Sequence, residues 1–185
     1  MDFDELRDSA TILVINGTRL FTQEERHKLD ESLKKASIRL FMVEQRGIQN
    51  SIFNGIQVIL SNELLGLLIN GLLMPAAYDG LKQSLVFIIK KIRTGNFRIV
   101  TPNEINVPNI VLKVNTSNGE IVASISKVIS EEQIEKYIDS MIEAANAVND
   151  DETNTGGYTI LEECADGSIE ILSLKSYLKK HNKID

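Results

Sequence analysis

The sequence predicts an α+β fold, in which an antiparallel sheet built from β-hairpins packs against about four main α-helices. Asn-Gly or Asp-Gly pairs separate short apolar segments at three places, as the turns of tight hairpins do. Apolar residues recur at helical spacing after each of these places. Between residues 56 and 74 the chain carries one charge, that of Glu63, so we expect this stretch and the apolar segment after it at the centre of the fold.

The composition is that of a globular protein with enough apolar material for a core of its own. The chain has 185 residues, 43% hydrophobic and 25% charged, which predicts one domain or one domain with a small appendage. The single Cys164 excludes an internal disulfide and favours a reducing compartment. The first ten residues are polar and acidic, unlike a signal peptide, so we expect a cytoplasmic location.

The net charge of −6 is unevenly distributed. Residues 128–172 carry 12 acidic groups and one basic group, which argues against binding to nucleic acid. This acidic segment is either a solvated helix face with a linker or a docking surface for a basic partner.

The N-terminal part predicts a hairpin followed by a long helix. Segments 12–15 and 18–21 flank Asn16-Gly17, which tolerates the positive φ angles of a hairpin turn. Thr22 and Glu25 form a capping box, and the helix that they begin should end at Gly47. Beyond residue 35 this helix is apolar on all sides, which predicts burial on several sides.

The central stretch predicts two helices, over about 51–72 and 76–93, with Pro75 in the first turn of the second. Each glycine inside the first helix costs about 1 kcal/mol, so a tertiary reason should offset it. The pair could form buried core, a helix–helix oligomer interface, or a membrane-associated segment over 56–92. Because Glu63 offsets much of the gain from the aliphatic residues, spontaneous insertion across a bilayer is not favoured.

The C-terminal half predicts two more hairpins, each followed by a helix. One hairpin spans 110–127 and precedes a helix over 130–148 that Ser130 caps; the other spans 158–172 and precedes a short helix that closes the chain. Residues 149–157 contain no apolar side chain, which indicates a flexible acidic linker. We therefore expect a core domain over 1–148 and a C-terminal hairpin with a short helix over 158–185.

The residues that could carry chemistry are few. The sequence has no phosphate-binding glycine loop, no nucleophile elbow and no zinc-ligand spacing, so we expect no metal, no cofactor and no catalytic residue. Both histidines, His27 and His181, are expected on the solvated surface. Cys164 stands among acidic residues, which disfavour the thiolate. The acidic residues around the third turn are expected to be surface charge: Glu162, Glu163, Asp166 and Glu170.

Glu63 is the ionisable residue that burial would perturb most, so it is a candidate functional carboxylate. Its alternative is an exposed or helix-end position next to Ser61-Asn62. A ligand pocket at this point would also include Asn70 and Tyr78.

Residues 70–148 resemble small effector-associated accessory domains of bacterial conflict (defence) systems. The resemblance covers NGLLMPAAYDGLKQSLVFIIKKI, the hairpin IVLKVNTSNGEIVASI and the capped helix from Ser130. It implies an adaptor or sensor role in a multi-protein bacterial system and brings no catalytic signature.

The leading hypothesis is a non-enzymatic protein-interaction or oligomerisation module, either a homo-oligomer or a chain with a protein partner. Its basis is an apolar supply that exceeds what a small sheet could cover. The alternatives are a membrane-associated protein and a small-ligand binder or enzyme with a pocket near Glu63. The predicted interaction surface comprises Ile38, Phe41, Met42, Leu64, Leu68, Leu72, Leu85, Ile88 and Ile92.

Overall fold

The computed structural model describes residues 9–44, 55–95, 99–100, 105–106, 109–116, 119–125, 130–150 and 157–181. These residues form a seven-stranded sheet, a separate two-stranded sheet and five α-helices. The predicted combination of one central sheet with packed helices is confirmed. The sheet is mixed rather than antiparallel, because parallel and antiparallel pairs alternate across it.

The bounds of the elements follow the chain. The strands are β1 Thr11–Ile15, β2 Arg39–Val43, β3 Gly55–Leu60, β4 Ile99–Val100, β5 Ile105–Asn106, β6 Asn109–Thr116, β7 Gly119–Ile125, β8 Gly157–Glu163 and β9 Ile169–Ser173. The helices are α1 Gln23–Lys34, α2 Asn62–Ile69, α3 Pro75–Thr94, α4 Glu131–Asp150 and α5 Leu174–Lys180.

The strand order in the large sheet is β2-β1-β3-β6-β7-β8-β9, and β4 pairs with β5 apart from it. Three pairs are parallel, namely β1–β2, β3–β6 and β7–β8. Helices connect each of these pairs: α1 the first, α2 and α3 the second, and α4 the third. The repeating unit is therefore a strand–helix–strand crossover, and antiparallel pairing joins one unit to the next.

The first predicted hairpin and the helix after it are wrong in part. Asn16 adopts a positive φ of 64°, but residues 18–20 form a 3-10 turn instead of a return strand. The next strand in the chain is β2, which follows α1 and pairs parallel to β1. The predicted helix ends at Lys34, since its apolar second half is this strand, and Gly47 lies outside the described residues.

The first central helix is also wrong over its N-terminal part. Residues 55–60 form β3, and Ser61 then begins α2 by accepting a hydrogen bond from the Leu64 amide. Because β3 and α2 are both apolar and follow each other in the chain, they form one long apolar run in the sequence. Gly55 belongs to the strand, where an added Cβ would lie 2.1 Å from the carbonyl oxygen of Asn109 on β6. That close approach of two backbones is the tertiary reason for this glycine.

The elements with local sequence signals are confirmed. Thr22 and Glu25 exchange both hydrogen bonds of a capping box at α1, and Pro75 occupies the first turn of α3. Ser130 accepts a hydrogen bond from the Gln133 amide at the start of α4. The pairs β6–β7 and β8–β9 are the second and third predicted hairpins.

The C-terminal hairpin belongs to the central sheet, since β8 pairs with β7 from Gly119–Gly157 to Ala123–Leu161. The predicted linker over 149–157 is shorter than expected, because α4 extends to Asp150 and β8 begins at Gly157. Residues 151–156 lie outside the described residues.

The main core lies between one face of the sheet and helices α1 to α4. Alternate side chains of the strands, such as Val14, Val58, Leu112 and Ala123, face these helices and are fully buried. The other face holds a small cluster of Val111, Val122 and Ile160 beneath Leu174 and Tyr177 of α5. We call this second side of the sheet the open face.

The crossovers β1–α1–β2 and β7–α4–β8 have opposite hands. The pairings make β1 and β7 point the same way, yet β2 and β8 lie on opposite sides of their partners. Both connecting helices nevertheless pack on the same face. Since about 98% of such crossovers are right-handed, one of these two is of the rare kind.

Candidate functional site

Half of the open face, at the β2–β1–β3 end, carries apolar side chains that no described helix covers. Strand alternation places Leu13 and Ile15 of β1, Phe41 and Val43 of β2, and Ile59 of β3 on this face. All five are partly exposed, whereas their neighbours on the helix face, such as Ile12 and Val58, are fully buried. The guanidinium of Arg39 lies over the Phe41 ring, with its Cζ atom 4.9 Å from the ring centroid.

A cavity of about 580 Å³ opens at one end of this face. Leu13 and Ile59 line it together with a ring of polar residues: Thr11, Ser61, Asn62, Glu63, Asn115, Thr116 and Glu120. It lies at the carboxyl ends of the parallel strands β3 and β6 and next to the N-terminus of α2. Ligands of open α/β sheets commonly bind at such strand ends, and the volume suits a small molecule.

A satisfied hydrogen-bond network fixes the wall of this cavity between β1 and α2. The Ser61 hydroxyl donates to the Ser9 carbonyl at 2.9 Å and accepts from the Thr11 amide at 2.9 Å. It also caps α2, which fixes the position of Glu63 in the first turn of the helix. The cavity rim is therefore rigid where the strand turns into the helix.

Glu63 lines the cavity, and its Oε2 atom is buried without a hydrogen bond from any described residue. Its position in the first turn of α2 is favourable, because the helix dipole stabilises a negative charge there. The second carboxylate of the rim, Glu120, pairs with Lys113 at 3.3 Å. Glu63 therefore combines the two predicted alternatives, because it lies at a helix end and its carboxylate also lines a cavity.

Asn70 and Tyr78 do not line the Glu63 cavity. Asn70 ends α2, where its side chain donates to the Gly66 carbonyl at 2.8 Å. Tyr78 donates to Asp139 of α4 at 3.0 Å, and Lys82 reaches the same carboxylate. Burial raises the pKa of Tyr78, and the bond to Asp139 adds to this effect. Tyr78 and Lys82 thus connect α3 to α4 through Asp139.

Most of the predicted interaction residues lie inside the chain. Five of them are at most 3% exposed and belong to the main core: Ile38, Leu64, Leu85, Ile88 and Ile92. Met42 and Leu68 are partly buried and pack against that core. Phe41 lies on the open face, and Leu72 is 67% exposed in the turn after α2. The sheet is larger than predicted, so it covers most of the apolar supply.

His181 and Glu162 form a pair that the sequence did not indicate. His181 Nε2 lies 2.8 Å from Glu162 Oε1, and the His181 ring contacts that of Tyr177 with centroids 4.5 Å apart. Both residues border a second cavity, of about 420 Å³, at the opposite end of the sheet. The two residues are 19 positions apart in the chain, and one lies on a strand and the other at the end of a helix, so no local sequence pattern could predict this pair.

Glu162 also binds Lys180, whose Nζ lies 3.0 Å from Glu162 Oε2 and 2.7 Å from Glu170 Oε2. Burial alone would raise the pKa of Glu162, but the hydrogen bonds from Lys180 and His181 outweigh it and lower the pKa. Tyr137 of α4 lines the same cavity, and burial raises the pKa of its phenol to about 12. The acidic residues around the third turn thus include two that hold α5.

Of the remaining candidates, His27 is exposed and Cys164 is partly exposed. His27 pairs with Glu31 along α1, both well exposed, and Cys164 Sγ lies 3.9 Å from Glu170. Within the described part of the chain, no three His, Cys, Asp or Glu side chains are placed to ligate one metal ion. None of the described helices has the length and apolar character needed to cross a bilayer.

Comparison of the chain with protein-family models, with curated proteins and with solved structures yields no match.

Proposed function

We propose that the protein is a non-enzymatic interaction module that self-associates by pairing of its edge strand β2. The observation that carries this proposal is that β2 lies at the edge of the sheet and carries the partly exposed apolar side chains Phe41 and Val43. The expected adaptor or sensor role in a bacterial multi-protein system, which the resemblance implies, belongs to the same proposal.

The edge strand β2 has few of the features that prevent strand addition. Its sequence RLFMV contains no proline, and its one charge, Arg39, stands at its start. Among the described strands it pairs with β1 alone. The outward backbone groups of β2 can therefore accept another strand, as in β-augmentation.

A second copy is an occupant that fits this edge. Antiparallel pairing of two β2 strands about a two-fold axis at Phe41 places the open faces of both copies on the same side, since paired residues then share a face. Phe41 would meet its counterpart, and Arg39 would lie opposite Val43 of the other copy. The two apolar half-faces would merge into one continuous surface.

Sedimentation equilibrium over a concentration series tests the self-association. The wild-type chain should form a dimer, and Phe41→Lys should weaken it, because two added charges would meet at the axis. Ile171→Lys is the matched control, since Ile171 is 42% exposed on the opposite edge strand β9. A wild-type chain that stays monomeric, or a dimer that both variants weaken equally, contradicts the proposal.

A second candidate function, small-ligand binding, is favoured by the cavity that Glu63 lines. The Glu63 carboxylate, in a rim of hydroxyl and amide groups whose other carboxylate, Glu120, is paired with Lys113, suits a small ligand with hydrogen-bond donors, such as an amine. The nonpolar floor of Leu13 and Ile59 would accommodate a short alkyl group.

Ligand-observed NMR with a set of alkylamines and the matching alcohols tests this second function. Amines should bind the wild-type chain and lose affinity for Glu63→Gln, which keeps the shape of the side chain and removes its charge. The control Glu31→Gln removes an exposed carboxylate from α1. Equal affinity for amines and alcohols, or no effect of Glu63→Gln, would exclude a role for this carboxylate.

A further inference from the structure

Helix α5 covers a buried apolar patch on the open face of the sheet. Beneath it, Val111, Val122 and Ile160 are 0–2% exposed. Leu174 and Tyr177 are the α5 side chains that pack on this patch, and no residue of α5 is itself buried. A helix of seven residues is not stable without its docking site. The position of α5 therefore depends on its contacts with the sheet.

The patch is bordered by two carboxylates that require a cation. Glu162 and Glu170 are directly opposite each other in the β8–β9 pairing and share the open face. Like charges at such positions destabilise a sheet. Lys180 contacts both carboxylates, at 3.0 and 2.7 Å, and His181 contacts Glu162 at 2.8 Å. The docking site of α5 therefore combines an apolar surface with two carboxylates, Glu162 and Glu170, that bind a positive charge.

This docking site continues into the rest of the open face. The strand register places Val122 in one row with Lys113, Ile59, Leu13 and Phe41. Displacement of α5 would expose the apolar patch, which would then continue into the apolar half-face at the other end of that row. The α5 end of the row is nevertheless remote from β2, so the docking of a helix there does not depend on self-association at β2.

We propose that α5 is a replaceable cover and that its docking site accepts an amphipathic helix from a partner protein. The chemistry of α5 defines the partner: two apolar side chains three residues apart, as Leu174 and Tyr177, followed after three residues by a lysine, as Lys180. The lysine that binds Glu162 and Glu170 determines in which orientation the partner helix lies on the site.

The probe is a labelled peptide of sequence SLKSYLKKH, corresponding to residues 173–181, stapled between the positions of Lys175 and Lys179. These two positions are exposed in α5, so the staple avoids the docking site. Fluorescence anisotropy measures its binding to the full-length wild-type chain and to full-length Tyr177→Ala, which weakens the internal cover. The control peptide carries glutamate at the position of Lys180.

The peptide should bind Tyr177→Ala about tenfold or more tightly than wild type, because the internal helix competes at a high effective concentration. The control peptide should bind neither chain. Hydrogen exchange supplies the second measurement: the α5 amides of the wild-type chain should exchange by local opening, well before those of α3.

Three results would overturn the proposal. One is α5 exchange as slow as that of α3, which means that the cover does not open. Another is a folded Tyr177→Ala chain with fast α5 exchange that does not bind the peptide. The third is a wild-type dimer that the peptide dissociates, since α5 of a second copy would then be the occupant in place of a partner helix.

Discussion

The two faces of the central sheet are built from the same strands but covered to different degrees. Four helices bury most of one face, whereas α5 covers part of the other and leaves the β2–β1–β3 end partly exposed. Burial of apolar area is the main source of folding free energy. The difference implies that the helix-covered face carries the stability of the chain and that the open face is available for binding.

The largest effect should come from the helix-covered face. Leu85→Ala removes a fully buried side chain of α3 and should lower the free energy of unfolding by ~2–5 kcal/mol, through lost burial and the cavity that remains. Urea denaturation measures this change. Leu13→Ala on the open face is the control and should cost about 1 kcal/mol, since this side chain is already partly exposed. Equal losses would contradict the division between the faces.

The next effect concerns a close backbone contact between β7 and β8 at the start of their pairing. In Gly119→Ala the new Cβ would lie 2.1 Å from the Gly157 carbonyl oxygen, so the strands must separate. We expect a loss of ~1–3 kcal/mol, as for other overpacking substitutions. Thermal and urea unfolding measure it.

Gly80→Ala is the matched control for this substitution. Gly80 lies on α3, and outside the backbone of its own helix an added Cβ would meet no described atom within 4 Å. Because alanine is the better helix former, Gly80→Ala should stabilise the chain by up to ~1 kcal/mol. If both substitutions changed stability alike, the close approach of β7 and β8 would not explain Gly119.

The buried phenol of Tyr137 on the helix-covered side predicts a loss of stability in alkali. Its pKa is raised from 10.0 to about 12, chiefly by burial, so the folded chain keeps the phenol neutral while the unfolded chain ionises it. The stabilisation from the neutral phenol is complete below pH 10 and is lost as the pH rises toward about 12.

Urea unfolding of Tyr137→Phe at several pH values checks this assignment. The variant should lose less stability than wild type over that alkaline range, because phenylalanine does not ionise. Tyr158→Phe, which removes an exposed phenol from the open face, should follow the wild-type curve. A Tyr137→Phe chain with the wild-type alkaline loss would assign the titration to another group.

The sequence predicted the elements whose signals are local. The Thr22 capping box, Pro75 at the start of α3 and the turn at Asp166-Gly167 each act within a few residues, and the structure contains all three. For the segments of β2 and β3, the sequence predicts helix instead of strand. Short apolar runs such as RLFMV fit either element, and parallel pairing with a distant strand decides between them.

The candidate site was predictable to the same extent. Glu63 stood out because it interrupts a long apolar run, and it does line a cavity. Its neighbours Thr11 and Glu120 come from strands that are far apart in sequence, so no spacing could have grouped them. Likewise, Lys180 and His181 belong to a basic end whose carboxylate partners are defined only by the β8–β9 register.

The smallest effect on stability should come from Lys113, the charged member of the row that crosses the open face. Lys113→Leu removes the ion pair with Glu120, at 3.3 Å, and should change the free energy of unfolding by less than ~1 kcal/mol. Because Lys113 lies on β6, three strands away from β2, the same variant should leave self-association through β2 unchanged in sedimentation equilibrium. Lys28→Leu, in an exposed ion pair on α1, is the control for the added leucine. Stronger association of Lys113→Leu at nearly constant stability would show that the interface extends along the row to β6. A large loss of stability would instead place this lysine among the groups that hold the fold together.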